Sequence, residues 1–210
     1  MPFNIDTQMT LSNVLFIPVI CILFFMLCWS LLELGGFARE CIERRRRRCN
    51  WTLFAGRLVA AEKTDAAKTA ARFFDRSDYP GFVAVFAARG ARIADDPAHL
   101  GKLVADIEIE AAHGQLRMNL GVRLGPALGL IGTLIPMGPA LLGLSSGDVG
   151  RIAENLAVAF STTILGLGVS AVCYFISIGR RHWYAKDLAD IDYVYHFLCQ
   201  EKETTPREDA

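Results

Sequence analysis

The sequence has no net charge, because 22 lysines and arginines are matched by 22 aspartates and glutamates. A non-specific nucleic-acid binder needs excess positive charge to displace counterions, so no nucleic-acid partner is expected. The six cysteines (21, 28, 41, 49, 173 and 199) include no CxxC pair. Their placement implies neither a disulfide framework nor a zinc site. No GxxxxGK(S/T) phosphate loop and no GxSxG nucleophile elbow occurs. His99, His113, His182 and His196 lack metal-ligand spacing and read as surface residues of helices. There is no strand alternation and no internal repeat. No catalytic residue, metal or cofactor is expected, and the chain does not read as an enzyme.

Charge is also missing locally. None occurs in residues 7–32, 124–147 or 155–179. About 20 apolar residues at 1.5 Å rise cross a hydrocarbon core of roughly 30 Å, so each window is long enough to span a bilayer. Elsewhere the chain is densely charged. This pattern excludes a single ordinary soluble domain and predicts an all-α integral membrane protein with three transmembrane helices. The first window contains Pro18, which spanning helices tolerate and which predicts a kink. It is not expected to be a cleaved signal peptide, because residues 1–10 carry only Asp6 and no positive n-region.

Lysine and arginine set the direction. None precedes Arg39, and Arg44 to Arg48 form a run just after the first window. Arg123 flanks the second window, Arg180 and Arg181 follow the third, and only Arg151 lies in the link between them. The arginine run therefore reads as a topology signal and an anionic-lipid contact. The expected order is an outer segment at 1–10, a first span at 11–34 and a cytoplasmic helical domain at 37–122. A second span at 124–144, an outer loop at 145–151, a third span at 152–179 and a cytoplasmic C-terminal helix and tail at 180–210 follow. The location is the cytoplasmic (inner) membrane, with the N-terminus outside and the C-terminus in the cytoplasm.

The part between the first two spans is helix material. Residues 51–74 are alanine-rich, Tyr79-Pro80-Gly81 reads as a turn, and 82–93 resume helical composition. Asp95-Asp96-Pro97 predicts a helix start. From there Leu100, Leu103, Val104, Ile107 and Ala111 recur at helical spacing, with no clear breaker before Pro126. One long helix is expected to enter the membrane here. The third span is expected to run on past Trp183 to Val194, with a frayed tail from Glu201.

The second and third spans carry unusual small and polar residues. Gly125, Gly129 and Gly132 have the spacing that lets helices approach closely, and Gly166 can serve the same purpose in the third span. Thr133 stands alone in an apolar helix, and Ser161, Thr162 and Thr163 sit together in the next. Each hydroxyl can satisfy itself on the carbonyl four residues earlier, Gly129 for Thr133 and Ala159 for Thr163. Two adjacent helices with hydroxyls near mid-membrane can also line a polar path. No carboxylate lies mid-membrane, so a titrating acid must come from a partner chain.

Leu128-Gly129-Leu130-Ile131-Gly132-Thr133, followed by Ala159-Phe160-Ser161-Thr162-Thr163-Ile164-Leu165-Gly166-Leu167, resembles the paired signature of the MotA/TolQ/ExbB proton-channel family. The resemblance covers about 60 residues of spans two and three. Three spans, an outer N-terminus and a large insertion after the first span resemble the ExbB/TolQ branch. The resemblance implies a homo-pentamer whose second and third spans line a pore. A dimeric ExbD/TolR-like partner with a single span places an aspartate there. Proton flow through that aspartate drives rotation, which does envelope transport or mechanical work. By motif, Thr133 and Thr163 are the pore threonines and Thr162 the neighbouring position. Val158 stands where ExbB and TolQ carry glutamate.

The nearest acid is Glu154, nine residues before Thr163, about 180° from it and about 80° from Thr162. It is expected in an outer vestibule. Pro136 and Pro139 are expected to bend the outer half of span two. The ion-path candidates are thus Thr133, Thr163, Thr162, Ser161 and Glu154. The ion is expected to be a proton, with sodium left open. The rival is a non-conducting membrane scaffold of the same fold.

Overall fold

The computed structural model describes residues 5–60, 73–74, 79–93 and 96–204. Among these residues the chain is helical, without strands. Helix α1 spans Ile5–Ala60, α2 Gly81–Gly90, α3 Pro97–Ser146 and α4 Val149–Thr204. Helices α1, α3 and α4 are long and apolar enough to cross a membrane. The expected helix over 51–74 is described as far as Ala60, and residues 61–72 lie outside the described residues. So do 1–4 of the outer segment, Asp95 of the helix start and 205–210 of the tail. Helix α1 continues through Pro18, and α3 continues through Pro126, Pro136 and Pro139.

The ends of the helices follow from local chemistry. At the start of α3, Asp96 Oδ1 accepts from the amides of Ala98 at 2.9 Å and His99 at 3.4 Å. This N-cap satisfies donors that have no intrahelical partner. Its carboxyl is held below the usual range by the His99 hydrogen bond first and the Ala98 amide second. Helix α3 closes on a glycine at φ +72°, Gly147. The Asp148 amide donates to Gly143 O at 2.9 Å and the Gly147 amide to Leu144 O at 3.3 Å, a Schellman closure. Asp148 then caps α4 through the Arg151 amide at 3.0 Å. A turn of two residues therefore makes α3 and α4 an antiparallel pair.

The chain divides into two compact units, Met1–Gly36 with Leu116–Ile178, and Phe37–Gln115 with Gly179–Ala210. In the first unit the buried positions form narrow stripes at alternating spacings of three and four. They are Val19, Leu23, Met26 and Ser30 on α1, and Ala159, Thr162, Gly166, Val169, Cys173 and Ile176 on α4. The other faces are apolar and open: Leu130, Leu134, Phe160 and Ile164 are each 61–69% exposed. An apolar exterior around a seam of small residues is the pattern of helices packed in lipid.

The second unit has a core of the soluble type. Phe73, Tyr79, Val83, Phe86, Leu100, Ile107, Ile191 and Val194 are buried together. Phe73 stacks on Tyr79 with ring centroids 5.0 Å apart.

Candidate ion path

The α3 side of the seam in the first unit is built from glycine. A Cβ placed on Gly125 would lie 2.6 Å from Gly166 O, and one on Gly166 would lie 2.5 Å from Gly125 O. A Cβ on Gly129 would lie 3.4–3.5 Å from the backbone of Thr162 and Thr163. A Cβ on Gly132 would meet the Thr162 side chain at 2.8 Å. These contacts fix the register of the antiparallel pair: Gly125 meets Gly166, and Gly132 meets Thr162. Thr133 and Thr163 therefore stand within about one helical turn of each other along the seam, Thr163 opposite Gly129. Both are half-buried.

Thr162 is 4% exposed and fills the space that Gly132 leaves. Its hydroxyl donates to Ala159 O at 2.8 Å. Its place is thus in the helix contact, and the free surface of the pair carries Ser161 instead. Glu154 is exposed near the start of α4.

Thr163 donates to Ala159 O at 3.2 Å, four residues back as expected. Thr133 differs: it donates to Leu130 O at 2.7 Å, three residues back rather than to Gly129. Ser161 donates to Ala157 O at 2.8 Å. Each hydroxyl proton is engaged with a carbonyl, so what each oxygen offers its surroundings is lone pairs. A lining of this kind accepts hydrogen bonds from water or hydronium and can coordinate a cation.

One polar cluster escaped the reading of the sequence. In the second unit Arg44 makes a bidentate pair with Asp187, at 2.9 and 2.8 Å. Asp187 also accepts the Phe82 amide at 3.1 Å, capping the start of α2 from α4. Glu40 holds Arg44 Nε at 3.1 Å and Arg180 Nε at 3.3 Å. The Arg44 guanidinium lies over the Trp183 and Tyr184 rings. Burial alone would lower the Arg44 pKa. The Asp187 and Glu40 carboxylates outweigh that, and the guanidinium ends above its ordinary value. A Cβ at Gly81, whose φ is +54°, would collide with both Asp187 and Arg44.

His99, His113, His182 and His196 are all exposed. Among the described residues no group of His, Cys, Asp or Glu could hold a metal.

Residues 98–189, which contain the whole seam, match the model of the MotA/TolQ/ExbB proton channel family. No curated protein and no solved structure matches the chain.

Proposed function

We propose that this chain is the ion-conducting subunit of a motor driven by an ion-motive force, in the cytoplasmic membrane, with its N-terminus outside. The observation that carries the reading is the placement of Thr133 and Thr163 within about one turn of each other on a glycine-packed pair inside the family-matching segment. Their lone pairs line the ion's route near mid-membrane. Ser161 adds a further acceptor on the open face of α4, and Glu154 supplies an acid nearer the turn. Thr162 holds the pair together.

The chain has no carboxylate in residues 124–147 or 155–179. A proton relay needs a group that titrates, so it comes from a single-span ExbD/TolR-like partner bearing an aspartate. That partner is a dimer within a homo-pentamer of this chain. The exposed apolar faces of α3 and α4 supply surface for both lipid and neighbouring copies. The motor powers transport or mechanical work in the cell envelope. The ion is the proton, and sodium is the alternative that the same oxygens permit.

The test is proton leak in membranes containing this chain and a co-expressed single-span partner with a mid-span aspartate. Valine keeps the shape of threonine and removes its oxygen. Thr133→Val with Thr163→Val is expected to reduce leak by roughly tenfold or more, the scale of losing hydrogen bonds to a charged species. Unchanged leak would leave the scaffold reading in its place.

A further inference from the structure

A second polar line runs along the same seam, and the threonine reading does not use it. On α4, Thr163, Ser170 and Ser177 are seven residues apart. Seven residues drift only about 20° around a straight helix, so the three hydroxyls share one face over about 21 Å. All three are half-buried. Helix α3 meets this line with polar groups of its own. Ser170 donates to Val122 O at 2.9 Å. That carbonyl would ordinarily bond the amide four residues on, but Pro126 has no N–H to give. Ser177 donates to Asn119 Oδ1 at 3.4 Å. Asn119 is 14 residues before Thr133, so it lies on the threonine's face of α3.

We infer that Ser170, Ser177 and Asn119 form a hydrated, cation-accepting leg that joins the turn of the seam holding Thr133 and Thr163 to the Arg123 end. This rests on the ion-path reading above and extends it to named groups. The protons of Thr163, Ser170 and Ser177 are all donated already. Water entering the seam therefore finds acceptors at intervals of about 10 Å, each gap close to three water molecules in length. Water bridges two polar groups nearly as well as a direct hydrogen bond, which makes such a chain of waters stable. The leg favours hydronium and small cations and disfavours anions, because it shows lone pairs and few free donors.

The test uses single cysteines in an otherwise cysteine-free full-length chain in membrane vesicles with the partner. Thiols react with a cationic methanethiosulfonate only where water reaches them. Phe175→Cys and Gly168→Cys are the controls. Phe175 is about 160° from Ser177, and Gly168 is about 160° from Ser170, at nearly the same depth. Phe175 is 64% exposed, and a Cβ on Gly168 would meet no other side chain or helix within 4 Å.

Ser170→Cys and Ser177→Cys are expected to react at least about tenfold faster than the controls, a gap of about 1.4 kcal/mol in barrier. Equal rates overturn the leg. Ser170 also serves the Val122 carbonyl, so Ser177→Cys decides if Ser170→Cys disturbs the pair. If Thr163→Val abolishes leak while Ser177→Cys labels no faster than Phe175→Cys, the threonine reading stands and the leg fails. If Thr163→Val leaves leak intact, the leg fails as an ion route whatever its labelling.

Discussion

Arg44 and Asp187 are 143 residues apart in the chain and 2.8 Å apart in space. Both are nearly buried, with side chains 12% and 7% exposed. Removing one member strands the other. Asp187→Ala is expected to cost about 3 kcal/mol, the scale for breaking a buried pair. For a chain of this size that lowers the melting temperature by roughly 6–12 °C. A double variant, Arg44→Met with Asp187→Leu, should recover most of the loss, since neither charge is left alone. Additive losses in that cycle would show that the pair does not act as a unit. Five consecutive arginines look alike in the sequence. Arg44 stands out only on the inward stripe Phe37, Glu40, Arg44, Arg47, and its acid is too remote in sequence for any local pattern to supply. At the same scale, Asp96 titrates below the usual carboxylate range. A depressed folded pKa means its cap is fully present above the unfolded value near 3.9 and is lost as pH falls through the folded one. Exchange of the Ala98 and His99 amides, corrected for intrinsic rate, should therefore accelerate as the solution is acidified below about pH 4. Protection that stays flat to lower pH would remove Asp96 from that role.

Helices α3 and α4 are held in register by glycines whose Cα hydrogens face the opposite backbone. Gly166→Ala places a methyl 2.5 Å from Gly125 O, and Gly125→Ala places one 2.6 Å from Gly166 O. Neither neighbour is a flexible side chain that can swing away. Each substitution should cost about 1–3 kcal/mol by overpacking. Gly36→Ala and Gly168→Ala meet nothing within 4 Å and should be neutral or slightly stabilising. Thermal melts of the four variants check this, and equal effects would contradict the register. The existence of these helices was legible in the charge-free windows, and the close contact in the glycine spacing. The register was not, because it depends on which residues of two helices stand opposite. That is why Thr162 proves to be the residue facing Gly132, and the rotamer by which the Thr133 hydroxyl turns to Leu130 rather than Gly129 was equally absent from the sequence. The partnership of Pro126 and Ser170 through Val122 O was hidden for the same reason.

For the molecule as a whole, 22 positive and 22 negative charges sum to nothing, but their placement separates two kinds of folding unit. One has an apolar exterior and a seam of glycines and hydroxyls, and the other has an aromatic core and buried ion pairs. On the proposed reading, the absence of a carboxylate in residues 124–147 and 155–179 is the feature that calls for a second protein. A chain that lines an ion route without titrating should be silent alone and conduct with its partner. The most direct measurement is proton flux into vesicles holding the complex, across a series at Thr163. Thr163→Ser keeps the oxygen and Thr163→Val keeps only the shape. An ion route lined by the Thr163 oxygen predicts near-native flux for Thr163→Ser and a loss of roughly tenfold or more for Thr163→Val. Equal flux in the two variants would contradict it.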